Sequence, residues 1–284
     1  MNNLQLSMNN YAGVRPAKMH KSSRLFREIS TIWAIICREI SVAFKSPSTL
    51  AMSLIMPIVM MGMVGGNLTQ NMAGGLGFNF GLFMLIGMMV NMLFMATSQG
   101  VATLVDDHED NFSEEMLIAP VSRYSIVIGK ILGSTFSAVV TMLGTLIVGA
   151  FMGITLTVGQ FLAILALSPL ICLSAGALAM LFIGLIKNRK AANIAVMLIT
   201  MPQMFLSGAI IPISNSSGIL MWISRILPMT YSLDLTRSAV YAGTPEYANV
   251  VMFSPAVSIT ATIAITVICL TVGTFFYARS EKNR

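Results

Sequence analysis

The sequence predicts an all-α integral membrane protein: six transmembrane helices, an amphipathic interfacial helix before them, and a re-entrant or external helical segment between spans five and six. Three observations predict it. First, 56% of the 284 residues are hydrophobic and only 10% are charged, against roughly 25% charged in an average soluble domain. So little charge cannot clothe a surface that faces water. Second, charge is missing from long tracts: 60 residues between Lys45 and Asp106, 56 between Lys130 and Lys187, 34 between Lys190 and Arg225, and 32 between Glu246 and Arg279. Third, the cations cluster around the ends of those tracts rather than within them.

A helix needs about 20 apolar residues to cross the hydrocarbon. A Lys, Arg or Asp at its centre costs about 2.5–3.5 kcal/mol. The first two tracts therefore each hold two spans and a turn, and the last two hold one span each. The expected spans are 49–67, 79–101, 127–152, 161–186, 190–211 and 253–277, with turns at Gly74, Gly75 and Gly77 and at 155–159. Six spans put both termini on one side. With the N-terminus inside, 15 of the 17 Lys and Arg lie in or beside the cytoplasm and only Arg225 and Arg237 lie outside. The positive-inside rule selects that orientation, which implies a multi-pass cell-membrane protein with both termini cytoplasmic. Trp33, Tyr124 and Tyr277 then mark the inner boundary. Trp222, Tyr231, Tyr241 and Tyr247 mark the outer one.

The segments outside the spans follow in order. Residues 1–23 are polar and read as a flexible cytoplasmic tail. In 24–46, Leu25, Ile29, Ile32, Trp33, Ile36, Ile40 and Phe44 recur at helical steps between Arg24, Arg27, Glu28, Arg38 and Glu39. Five charges exclude a span, and the period indicates a helix along the inner membrane face; docking on a soluble partner is the alternative. Pro47 ends it. The first long apolar stretch begins near Thr49, too late for a cleavable signal peptide. Residues 106–115 hold six of the eleven acids, with Phe112, Met116, Leu117 and Ile118 close by. Apolar residues with a charged rim suit a protein-docking surface, and a plain solvated loop is the alternative. His108 lies among these carboxylates, but they lack the spacing of a metal-ligand set. Residues 212–250 form the external segment. In it, 218–227 is apolar and too short to cross.

Other chemistries find little support. The net charge of +6 would suit nucleic acid only on a basic soluble module, and cytoplasmic loops account for it. Cys37, Cys172 and Cys269 are far apart and read as small apolar fillers. His20 and His108 lie outside the spans, and no HExxH or GxSxG occurs, so a membrane-embedded enzyme lacks its catalytic groups. No charge sits in mid-span to relay protons for a secondary transporter. Asn91, Ser98, Gln99, Asn193 and Gln203 are the uncharged polar residues of the spans. They are expected to bond between helices or to line a path. Gly62/Gly66, Gly129/Gly133 and Gly149/Gly153 are four-residue pairs that allow close helix approach. The 24 methionines are filler or an adaptable apolar pathway.

Several runs resemble one family. Phe112-Ser-Glu-Glu-Met-Leu-Ile-Ala-Pro-Val-Ser-Arg-Tyr-Ser-Ile-Val-Ile-Gly-Lys130 is similar to the loop after the second span of type-2 ABC transporter permeases, including the daunorubicin-resistance type of drug-export permease. Phe205-Leu-Ser-Gly-Ala-Ile-Ile-Pro212, then Ile226-Leu-Pro-Met-Thr-Tyr231 and Leu235-Thr-Arg237, resemble the end of that family's fifth span and the stretch after it. The amphipathic helix before Ser46-Pro47 is a third likeness, so the resemblance covers about 24–280, with a transmembrane type-2 domain at 47–282. It implies a transport subunit with no catalysis of its own, since the GxxxxGK[ST] phosphate loop is missing here. ATP and Mg would be held by a separate P-loop ATPase, and two permease subunits would pair. Residues 108–122 would be the coupling helix seated in the ATPase, with Glu109, Phe112, Glu114, Glu115, Met116, Leu117, Pro120 and Arg123 as contacts. Residues 24–46 would be the connecting helix, with Arg27, Arg38 and Glu39 as its charged contacts. Arg27 or Arg38 would pair with Glu114 or Glu115. The substrate would be amphipathic or hydrophobic, and a non-transporting scaffold or immunity protein is the rival reading.

Overall fold

The computed structural model describes residues 21–45, 77–109, 122–186, 188–213 and 218–282, together with Ile55, Ile58, Val59 and Gly62. All regular structure among them is helical. The helices are α1 (Lys21–Lys45), α2 (Phe80–Glu109), α3 (Arg123–Phe151), α4 (Val158–Ile183), α5 (Arg189–Leu206), α6 (Ile219–Ile226), α7 (Pro228–Val240), α8 (Tyr247–Val250) and α9 (Pro255–Lys282).

Four described stretches are long and apolar enough to cross a membrane: Phe80–Val105, Arg123–Phe151, Val158–Ile183 and Tyr247–Arg279. Lys190–Leu206 is a shorter apolar helix. The expected first span, 49–67, lies outside the described residues except at four positions.

Helix ends differ from the sequence expectation where hydrophobicity and backbone hydrogen bonding disagree. α2 runs to Glu109, so Asp106, Asp107, His108 and Glu109 extend the helix instead of opening a loop. At 1.5 Å per residue, its 30 residues reach about 45 Å, some 15 Å more than the hydrocarbon. Charge marks where lipid ends, not where a helix must. α5 stops at Leu206, short of the expected 211, because Gly208 takes φ +84° and turns the chain. Only glycine adopts that conformation without strain. Thr157 and Gln160 form a capping box at the start of α4, and the Asn188 side chain accepts from the Lys190 and Ala191 amides at the start of α5. Both side chains satisfy amides that the first helical turn leaves free.

Buried apolar side chains gather at two levels. One cluster joins Ile35 of α1 to Val101 and Val105 of α2, Val127 and Ile131 of α3, Met180 and Ile183 of α4, Val196 of α5 and Tyr277 of α9. These come from the C-terminal parts of α2, α4 and α9 and the N-terminal parts of α3 and α5. Successive long helices therefore alternate in direction. The second cluster, at the far end, joins Phe80, Phe83 and Met84 of α2 to Met229, Leu233, Val240 and Tyr241. Glycines allow the crossings. A methyl added at Gly273 would lie 2.7 Å from the Leu181 amide nitrogen, so α9 and α4 approach backbone to backbone. Gly149 faces Leu85 of α2 and Gly153 ends α3 with φ +78°. Gly62 has no neighbour within 4 Å among the described residues, and Gly66 lies outside them.

Burial adds detail to three expectations. Within the expected external segment, α7 is not exposed: Met229, Ser232, Leu233, Asp234, Thr236 and Arg237 are all buried. Its polar composition hides this, because Thr236 and Ser238 donate to the carbonyls of Ser232 and Leu235 and so meet their own hydrogen-bond needs inside the helix. Tyr241, expected at the outer boundary, is 1% exposed. Cys37, read as a filler, is exposed on α1, whereas Cys172 and Cys269 are buried.

Candidate functional site

Two acids of α1, Glu28 and Glu39, meet the first turns of α3. Both Glu28 carboxylate oxygens accept the Ser122 amide at 3.1 Å. Ser122 caps α3 without a side-chain bond of its own, so the anion at this helix N-terminus comes from α1, where the helix dipole favours it. Eleven residues on, Glu39 Oε1 accepts from Lys130 Nζ at 2.7 Å, with the lysine side chain 3% exposed and the glutamate 12%. Arg38 Nη1 also reaches Glu39 Oε1, at 3.3 Å. Phe44 meets Phe136 with ring centroids 5.5 Å apart.

These pairs advance in step along both helices, so α1 runs beside α3 in the same direction. Gly129 and Gly133 explain how closely. A methyl at Gly129 would lie 3.3 Å from Ile32 Cα, and one at Gly133 would lie 2.7 Å from Glu39 Cβ. This pair is therefore the seat of α1. One half of the apolar arc of α1 (Ile32, Ile35, Ile36) packs on α3. The other half (Phe26, Ile29, Trp33) is left exposed. Arg27 and Arg38 lie on the opposite side of the helix by its 100° rotation per residue.

Gly133→Leu is expected to force α1 off this seat and to lower stability by roughly 1–3 kcal/mol, the usual cost of overpacking. Gly159→Ala, with open space around it, should leave stability unchanged. Thermal unfolding in detergent, side by side, checks both.

The other residues singled out in the sequence fall in different places. Phe112, Glu114, Glu115, Met116, Leu117 and Pro120 lie outside the described residues, so their pairing with Arg27 or Arg38 does too. Glu109 is the last residue of α2 and Arg123 the first of α3. These two helix ends flank 110–121, directly beside the Glu28–Ser122 contact. Asn91 and Gln203 are buried, Gln99 is half-buried, and Asn193 is exposed on the single chain. Asn91, Met95, Thr200, Met201 and Met204 line a small recess between α2 and α5. Gln203 donates to the Ile199 carbonyl at 3.2 Å, and its buried oxygen has no partner among the described residues. Ser98 donates to Ala175 of α4 at 3.4 Å. Among the described residues no group of His, Cys, Asp and Glu could hold a metal ion.

Sequence reasoning alone misses a second charged constellation. Asp234 accepts from the Met252 amide at 2.7 Å, the Phe253 amide at 3.2 Å and Ser258 Oγ at 2.7 Å. One turn further along α7, Arg237 Nη2 donates to the Gly208 carbonyl at 2.9 Å, and the guanidinium lies 3.5 Å over the Phe83 ring. Gln160 of α4 also donates to the Val240 carbonyl, at 3.2 Å. Thus α7 ties the end of α5, the top of α2 and the approach to α9 together. The available signal was an Asp and an Arg three residues apart, on one helical face, inside an otherwise uncharged stretch from 226 to 245.

A bundle of long apolar helices, in which the ionised side chains just described clamp helix ends, defines an integral membrane protein. The chain belongs to the ABC-2 type transporter family, whose model matches residues 30–241. Members of that family are the membrane transport subunits of ABC transporters. Curated relatives are also similar to the chain. Nodulation protein J of Rhizobium meliloti (strain 1021) is 27% identical over 198 residues, covering 62% of this chain and 74% of the relative. Nodulation protein J of Neorhizobium galegae is 24% identical over 215 residues, covering 73% and 80%. That of Sinorhizobium fredii (strain NBRC 101917 / NGR234) is 25% identical over 194 residues, covering 62% and 72%.

Proposed function

We propose that this chain is the six-span permease of an ATP-driven exporter in the cell membrane. It pairs with a second permease subunit and is driven by two copies of a separate P-loop ATPase. The observation that carries the reading is the clamp between α1 and α3, next to 110–121. In this reading ATP binding closes the ATPases and pulls on residues 108–122. Because Glu28 and Glu39 fasten α1 to the start of α3, the pull moves α1, α3 and the end of α2 together. The spans tilt, and a path opens outward at the seam between the two permeases. Glu114 and Glu115 are the charged contacts on the ATPase side, with Phe112, Met116 and Leu117 as the apolar ones.

The proposed topology also has physical support. α5 measures about 27 Å from its 18 residues, close to the hydrocarbon thickness of roughly 30 Å. Lys130, Lys190 and Arg279 belong to the end of the bundle that carries α1, whereas Arg225 and Arg237 belong to the other. That asymmetry supports a cytoplasmic α1 end. The recess at Asn91 and Thr200 has a volume of only about 10 Å³, room for one water, so an amphipathic or hydrophobic cargo would have to pass at the seam between the two permeases. The family supports transport, and the relatives' names speak of nodulation rather than of drugs.

Co-expression with a cognate P-loop ATPase should yield a complex that hydrolyses ATP. Reversing charge with Glu114→Lys and Glu115→Lys should leave the ATPase itself intact but lower complex recovery or uncouple hydrolysis from transport at least several-fold. Full coupling in the double variant would remove these residues from the coupling surface. A permease that never retains an ATPase would instead favour a non-transporting scaffold.

A further inference from the structure

A strongly exposed apolar face at the far end belongs to α6, and its amphipathicity is the reverse of what water would select. Ile219, Trp222 and Ile226 are 79%, 69% and 74% exposed, while its one uncharged polar side chain, Ser224, is fully buried. These three positions, at i, i+3 and i+7, share one helical face. Ser224 donates to the Met221 carbonyl at 2.8 Å, so the inward polar group needs nothing from solvent. Arg225 is exposed, with its guanidinium 5.9 Å from the Trp222 ring.

The rest of the fold sets the height of this face. Tyr231 Oη donates to the Arg225 carbonyl at 2.7 Å, fixing α6 to α7. α7 in turn is held through Asp234 to the residues just before α9 and through Arg237 to the turn just after α5. α6 therefore sits level with the ends of two apolar helices, α5 and α9.

We propose that α6 is an outer-leaflet anchor. Trp222, Ile219 and Ile226 enter the headgroup–acyl boundary, and Arg225 binds lipid phosphate beside the indole. A tryptophan paired with a cation at the level where spans end is the side-chain chemistry of a membrane interface. The phosphate charge complements Arg225. The anchor would hold α7 at a constant depth while the spans below it move. It rests on the topology given under the proposed function, which puts this end of the bundle outside.

The chain has two tryptophans, so Trp33→Phe leaves Trp222 as the sole emitter. The full-length variant would be reconstituted in vesicles of phosphatidylcholine and phosphatidylglycerol, with lipids brominated at defined acyl positions. The expected result is blue-shifted emission, quenched several-fold more by bromines near the headgroup than by bromines near the chain end, and only weakly by aqueous iodide. Arg225→Glu should reduce the dependence of that quenching on phosphatidylglycerol content. Strong iodide quenching without bromolipid quenching would mean a water-facing helix and would overturn the anchor. Quenching by neither would mean cover by protein, such as a second copy, and would overturn it equally. Topology is read separately. In a Cys37→Ser background, Ala242→Cys should react with a membrane-impermeant maleimide from outside whole cells. Reaction only after permeabilisation would overturn the topology, and the outer-leaflet assignment with it, whatever the quenching shows.

Discussion

Replacing Arg237 with methionine is expected to destabilise the far end of the bundle by about 3–5 kcal/mol, the range for removing one member of a buried charged network. The guanidinium is 5% exposed. It donates to the carbonyls of Gly208 and Ala209 and covers the face of Phe83. Methionine restores the volume but not the donors, so the Gly208 carbonyl loses its partner and Asp234 loses a nearby positive charge. Arg237→Lys should recover only part of the loss, because an ammonium has neither the planar stacking surface nor the forked donors of arginine. Thermal unfolding of the purified protein in detergent gives the order: wild type, then lysine, then methionine. Equal midpoints for all three would mean that α7 is held by apolar packing alone. Asp234→Ala should act on the same unit through α9, by leaving the Met252 and Phe253 amides and the Ser258 hydroxyl without their acceptor.

Lys130→Met is expected to have the second large effect, on coupling as well as on stability. It leaves the Glu39 carboxylate, 12% exposed, against an apolar side chain in place of its 2.7 Å partner. Breaking a buried pair in this way costs about 3–5 kcal/mol, here discounted toward the lower figure because Arg38 also reaches Glu39. The exchange of charges, Glu39→Lys with Lys130→Glu, should recover much of the loss, and a double-mutant cycle isolates the pair. In the complex with its ATPase, Lys130→Met should leave hydrolysis running but disconnect it from transport, and the exchange should reconnect it. If the exchange recovers stability but not coupling, the clamp is architectural and the pull travels another way.

How much was legible in advance depended on the range of the interaction concerned. The four stretches suited to crossing a membrane were legible because lipid excludes charge residue by residue, and that exclusion leaves a visible gap. The helix at 24–46 was legible because its apolar period repeats within a few turns. Helix ends were harder to place. α2 continues through Asp106 and Glu109 because the backbone ladder is indifferent to side-chain charge, whereas α5 ends early at a left-handed glycine whose φ no composition reveals. What Asn193 faces was not legible, because a polar residue can face either way on a helix, and only its neighbours decide.

The amino-acid sequence by itself determined the membrane class, the helical character, the lopsided distribution of cations and the family. Each follows from local or compositional physics: too little charge to face water, backbone groups that must bond internally in lipid, and motifs read in order. Only the tertiary structure decided that α1 runs beside α3 on a seat of two glycines, that α7 is buried, and that Asp234 and Arg237 tie three helices together. Those facts rest on pairs such as Glu39 with Lys130, 91 positions apart, and contacts between distant segments leave no periodic trace in a single chain.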